Sequence, residues 1–117
     1  MVTDNRSLLV HLCSQSEWQR ARQNGEYHAD TLETTGFIHL SKPEQILKVA
    51  NQYYPAARNV LLLWIDPSKL QSDLRWEVSD GDVFPHLYGA LNLEAVVVAC
   101  DFPADPDGVF RTVPAFM

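Results

Sequence analysis

The sequence predicts a single α+β domain with mainly antiparallel strands. Five or six short apolar runs of strand length are spread along it, two helical patterns fall in its first half, and strands dominate its second half. Helices and strands that segregate in this way mark an α+β domain, whereas a doubly wound sheet would alternate them. At 117 residues the chain has the length of one domain, 1–117, with a core expected over about residues 8–102 and an irregular tail over 103–117. A domain of this size buries roughly two-thirds of the surface its unfolded chain exposes.

Leu8 to Cys13 is an apolar run of strand length, and Ser14-Gln15-Ser16-Glu17 after it has the Ser-x-x-Glu spacing of a capping box. A helix is expected to run to about Asn24, with Trp18 and Ala21 on its inner face, Arg20 and Arg22 on its outer face and Gly25 as its stop. Glu26 to Thr35 reads as a polar loop anchored by Tyr27 and Leu32, and Gly36 ends it. Phe37 to Leu40 is a second strand. Ser41-Lys42-Pro43-Glu44 repeats the capping spacing with Pro in the first turn, where its missing N–H costs nothing. The helix that follows is expected to reach Tyr53 or Tyr54; Ile46, Leu47, Val49 and Ala50 recur at helical steps and Pro55 closes it. Val60 to Ile65 is apolar throughout, as in a central strand covered on both faces. Asp66-Pro67-Ser68 turns the chain, Leu74 to Val78 alternates, and Ser79-Asp80-Gly81-Asp82 is a tight turn into Val83-Phe84, which predicts a hairpin. Glu94 to Phe102 is the last strand, and Pro103, Pro106, Gly108 and Pro114 punctuate the tail.

A hydrophobic fraction of 46% and a charged fraction of 21% are those of a globular protein. No stretch approaches the roughly 20 apolar residues of a membrane helix, and Met1 to Arg6 lack the pattern of a secretory signal, so a soluble, cytoplasmic protein without a membrane partner is expected. Cys13 and Cys100 lie in separate apolar runs outside any CxxC spacing and are expected to be reduced core residues. A net charge of −6 with scattered basic residues argues against long nucleic acid as a partner.

Three of the four histidines share one setting, an apolar run followed by His-Leu and a hydroxyl-bearing or small polar residue: Val10-His11-Leu12, Phe37-Ile38-His39-Leu40-Ser41 and Phe84-Pro85-His86-Leu87-Tyr88. Imidazoles inside apolar strands point into a core or into a cleft walled by it, and three such segments suggest strand ends that converge on one polar pocket. His11 and His39 each precede a helix start, where free N–H groups suit an anion. Pro85 and Gly89 bracket His86 as a loop would that places a side chain at a cleft. Arg75-Trp76-Glu77 alternates, so Arg75 and Glu77 share a face opposite Trp76, and Glu77 is the carboxylate best suited to act beside the imidazoles, with Asp82 as second choice. A three-histidine zinc site has no support from the spacing and no metal is expected. Cys13 or Ser41 beside a histidine leaves nucleophilic catalysis open, without the GxSxG elbow that would mark it.

Gly36-Phe37-Ile38-His39-Leu40-Ser41, Leu74-Arg75-Trp76-Glu77 and Phe84-Pro85-His86-Leu87-Tyr88-Gly89 with Leu91-Asn92-Leu93 resemble the bacterial family called domain of unknown function 952, over about Leu9 to Phe102. The family itself names no reaction. It is distantly similar to the ADP-ribosyltransferase fold, which implies split antiparallel sheets holding NAD in a cleft, with Val10-His11-Leu12 in the place of the ribose-binding strand and His39 near the nicotinamide. The late-strand glutamate of those transferases has no clean match; Glu77 and Asp82 lie nearest.

The expected cleft is lined by His11, His39, Ser41, Glu77, His86 and Tyr88. The resemblance implies binding of NAD or a related nucleotide and chemistry at its glycosidic bond, with His39, Glu77 and His86 catalytic and His11, Ser41, Arg75 and Tyr88 binding the ligand. The alternative is a non-catalytic module for a nucleotide or small anion. A third possibility is a protein-interaction domain built on Tyr53, Tyr54 and Phe110.

Overall fold

The computed structural model describes residues 8–55 and 57–114, so the reading of Met1 to Arg6 lies outside the described residues. In chain order the elements are β1 (Leu9–Ser14), α1 (Gln15–Asn24), β2 (Glu26–Tyr27), α2 (Asp30–Thr34), β3 (Ile38–His39), α3 (Ile46–Tyr53), β4 (Val60–Ile65), β5 (Asp73–Ser79), β6 (Asp82–Tyr88), β7 (Leu91–Asn92) and β8 (Val96–Asp101). The strands form sheets of order β1-β4-β8, β3-β6-β5 and β2-β7, and all the pairings are antiparallel. The α+β class is as expected, and the α-helices all lie in the first half. The short α2 occupies what reads as loop, because Asp30 and Glu33 in its first turn and a Thr35-to-Thr31 cap offset a sequence with no apolar stripe.

Strand β4 organises the core. All six of its residues are buried, and its two faces feed separate clusters. Leu61, Leu63 and Ile65 pack with Leu9, Ala21 of α1, Tyr27, Ile38 and Leu87. Val60, Leu62 and Trp64 pack with Val10, Leu12, Ile46 and Ala50 of α3, Phe102 and Phe110. Each Leu or Ile fully withdrawn from water contributes about 1.5–3 kcal/mol, so this two-sided strand anchors the fold. The Ser14–Glu17 capping box forms as expected, with Glu17 N–H donating to Ser14 Oγ (3.1 Å) and Ser14 N–H to Glu17 Oε1 (2.9 Å).

Some expectations fail for reasons of tertiary pairing. Ser41 is not a helix cap: its backbone exchanges two hydrogen bonds with Val10 (2.8 and 2.9 Å), which ties the β1 sheet to the β3 sheet. The Gln45 side chain instead accepts the Lys42 N–H (2.9 Å), and a 3-10 turn over Pro43–Gln45 precedes α3. His86 is in strand β6 and not in a loop. Pro85 is tolerated inside that strand because its backbone faces β3 and its C=O accepts from Leu40 N–H (3.0 Å). With no N–H to return that bond, the β3 pairing ends at His39. The hairpin turn Asp80-Gly81 has both residues at positive φ (52° and 78°), the conformation that a two-residue loop needs to match strand twist. The tail over 103–114 has no helix or strand but is docked: Phe110 is buried against Phe102, and Asn51 bonds both its N–H and its C=O. The core therefore extends past residue 102, and Phe110 is not the exposed aromatic of an interaction surface.

Candidate functional site

Antiparallel register decides which side chains meet. His39 lies opposite His86, Arg75 opposite His86 from the other side, and Glu77 opposite Phe84, so these residues share one face of the β3-β6-β5 sheet. The His39 and His86 rings sit edge to face at 5.2 Å. Phe37, two residues before His39, stacks on His86 at 4.1 Å and also touches His39 and Tyr88. His11 reaches the group from β1: its Nδ1–H donates to the His39 carbonyl (2.7 Å), and its Nε2 therefore accepts from the Tyr27 hydroxyl (3.0 Å). The three imidazoles expected to converge do so.

Their roles differ. Both nitrogens of His11 are consumed inside the protein, and burial lowers its pKa to about 4, so the ring is a neutral strut. His86 is buried, and its Nδ1 lies 2.8 Å from Glu77 Oε1. Because a carboxylate only accepts, Nδ1 carries the proton, and Nε2 is left buried with no hydrogen-bond partner. Glu77 also accepts from the Tyr88 hydroxyl (2.6 Å), and these two bonds, Tyr88 first, hold its pKa below the usual carboxylate range. His39 is exposed at the mouth; partial burial and the neighbouring His86 keep its pKa below that of a free imidazole.

A cavity of about 480 Å³ opens where β1 and β3 part. His11, His39, His86 and Ser41 line it, along with an apolar wall of Leu12, Ile46, Val49, Tyr54 and Phe84. Its charged lining residues are Glu17, Asp30 and Asp80, with no Lys or Arg among them. That arrangement opposes an anion, and the expected anion site at the two helix starts is further spoiled because Glu17 and Gln45 occupy the capping N–H groups. A larger hollow of about 610 Å³ between Arg58 and the Asp101–Gly108 segment contains no imidazole and no convergent catalytic groups.

The remaining sequence candidates fall around this cleft. Glu77, Tyr88 and Arg75 do not line the cavity: Glu77 backs His86, Tyr88 holds Glu77, and Arg75 stacks over the Tyr88 ring (4.4 Å) while paired with Asp73. Asp82 accepts from Gln45 (2.9 Å) at the hairpin turn and is likewise outside the lining. Cys13 is buried with its thiol pushed up to about 12, and Cys100 is raised by burial as well, which removes both as nucleophiles. The Ser41 hydroxyl lines the cavity without a hydrogen bond to any imidazole. Sequence reading missed Phe37 and Tyr27. The i, i+2 spacing of Phe37 to His39 carried a signal for the first, since alternate residues share a face; the Tyr27 contact spans 16 residues and has none.

The family model described as "Protein of unknown function (DUF952)" matches residues 12–99. The chain belongs to this family. No curated protein matches this DUF952 chain. It is similar to protein CC0527 from Caulobacter crescentus: the crystal structure gives a TM-score of 0.82 at 35% identity, covering 89% of this chain and 93% of that one. The solution NMR structure of CC0527 gives a TM-score of 0.78 at 34% identity, covering 90% and 92%. These structural neighbours support the mixed fold with antiparallel sheets. Among the described residues no helix is long and apolar enough to cross a membrane, and no group of three or more His, Cys, Asp or Glu residues is arranged to hold a metal ion.

Proposed function

We propose that the cleft binds a small neutral or cationic molecule of about nucleoside size, and that His86, oriented by Glu77, moves a proton on it. One observation carries this reading: among the described residues the Nε2 of His86 is buried and unpartnered, in a ring that belongs to the cavity lining and whose other nitrogen is tied to a carboxylate. An unmet buried acceptor costs about 1–3 kcal/mol, a cost that a ligand O–H or N–H in the cleft would recover. A carboxylate behind Nδ1 fixes the tautomer and stabilises the imidazolium formed when Nε2 takes a proton, which is the general-base arrangement. His39, neutral at the mouth, is the second imidazole available to the ligand. Phe37 clamps His86, and His11 anchors the backbone of His39.

The ADP-ribosyltransferase resemblance keeps a narrower place in this reading. A glycosidic bond to a cationic base such as nicotinamide suits an acidic rim and a neutral imidazole. The pyrophosphate of NAD finds no cation in the lining, so a nicotinamide nucleoside fits the charge pattern better than the dinucleotide. A non-catalytic binder is the alternative, since Glu77 reaches the ligand only through His86.

The test is a thermal-shift and ligand-detected NMR comparison of nicotinamide riboside, neutral nucleosides, NAD and ADP-ribose, with release of free base followed by chromatography. The expected result is binding of nucleosides above NAD, lost in His39→Ala. Turnover lost in Glu77→Gln with binding retained marks an enzyme; binding without turnover in the wild type marks a module. Preference for ADP-ribose, or no binding by any nucleoside, overturns the reading.

A further inference from the structure

We propose that the outer edge of β5 pairs with the same strand of a second copy of the chain, about a two-fold axis at Trp76. β5 ends its sheet, and its register with β6 runs without a bulge from Asp73 to Ser79. Because Pro85 turns its backbone toward β3, Phe84, His86 and Tyr88 turn theirs toward Glu77, Arg75 and Asp73. The N–H and C=O groups of Leu74, Trp76 and Val78 therefore point outward. This seven-residue edge has no Pro and no bulge, and its charges, Asp73, Arg75 and Glu77, are of mixed sign, so they can be matched by a suitable partner strand. Trp76 and Val78 stand on one face, 51% and 76% exposed, with Val83 beside them at 40%.

Charge selects the occupant and the register. An outward-facing residue must pair with an outward-facing residue, so the central antiparallel alignments of two β5 strands are limited to three. One sets Arg75 against Arg75, one sets Glu77 against Glu77, and the alignment centred on Trp76 sets each Arg75 against Glu77 of the other copy. Like charges directly opposite destabilise a pair and opposite charges stabilise it, which leaves the Trp76-centred alignment. It forms six backbone hydrogen bonds through Leu74, Trp76 and Val78, joins two three-stranded sheets into one of six, and brings the exposed Trp76 and Val78 side chains together. It also places a guanidinium from the second copy beside Glu77, so each His86–Glu77 pair gains a second cation in addition to the Arg75 of its own chain.

Light scattering on the size-separated full chain and sedimentation at several concentrations test this. The expected mass is twice the 13.3 kDa of one chain. Trp76→Pro removes an outward N–H that β6 does not use and is expected to give a monomer with unchanged far-UV circular dichroism. Arg75→Glu sets carboxylates against each other at both ends and is expected to weaken the dimer about tenfold; it carries the test alone should Trp76→Pro fail to fold. Val97→Lys, on the exposed part of edge strand β8, is expected to leave the dimer intact. A wild-type monomer at millimolar concentration overturns the proposal, as does a dimer that survives both β5 variants or dissociates only in Val97→Lys.

Discussion

Acidification from pH 7 to pH 4 is expected to remove about 3 kcal/mol of folding stability through His11 alone. The ring has a folded pKa of about 4 against 6.5 for the free side chain. The unfolded chain therefore takes up a proton first, and stability falls wherever it does. The contribution is fully present above pH 6.5, declines as pH drops from 6.5 toward 4, and is gone below about 4. A difference of 6.5 − 4 = 2.5 units, at about 1.36 kcal/mol each, gives roughly 3 kcal/mol. The sign follows from the geometry: Nδ1–H is spent on the His39 carbonyl and Nε2 on the Tyr27 hydroxyl, so a second ring proton would displace the hydrogen that the buried Tyr27 hydroxyl donates. The assay is urea denaturation at half-unit pH steps for wild type and His11→Gln, an amide that does not titrate. Carboxylates such as Glu77 and Asp107, held below their usual range, lose stability on acidification in both proteins and cancel in the comparison. The wild type should lose about 3 kcal/mol more than the variant between pH 7 and pH 4. Parallel pH curves for the two proteins would refute a buried neutral His11.

Tyr27→Phe removes the hydroxyl that meets His11 Nε2 and should cost about 1–3 kcal/mol in the same urea assay; a loss below a few tenths would show that the bond is not made. Asn51→Ala deletes both bonds to the Phe110 backbone, and should speed hydrogen exchange at the Phe110 amide and lower stability by about 2 kcal/mol, whereas unchanged exchange would mean the tail holds without Asn51. Cys13, with its thiol pushed up to about 12, should resist iodoacetamide at pH 8 in the native state and react once urea unfolds the chain; rapid native labelling would contradict its burial.

What the sequence made legible was local or periodic. The unbroken apolar run of β4, the Ser14–Glu17 box and the Asp80-Gly81 turn each carry their structure within a few residues, and each forms as read. The convergence of His11, His39 and His86 was also legible, because each imidazole sits inside an apolar strand. What failed depended on partners remote in sequence. Ser41 has the spacing of a cap but is claimed by Val10, 31 residues away. Pro85 reads as a loop residue, and only the strand order β3-β6-β5, with β3 ending at His39, makes it admissible inside β6. Phe110 lies in a Pro-rich tail, yet it reaches the core because Asn51 of α3 fixes its backbone. The roles within the site were the least legible: nothing in the order of residues says that His11 spends both nitrogens while His86 leaves one unmet.

The most direct test of the central claim is the nitrogen NMR spectrum of the imidazole side chains, recorded on wild type and Glu77→Gln and then with a bound nucleoside. The structure predicts that neutral His86 carries its proton on Nδ1, the less common tautomer, and that ligand shifts its bare Nε2 resonance more than any nitrogen of His11. A proton on Nε2 in the wild type, or a His86 signal indifferent to both Glu77→Gln and ligand, would contradict it.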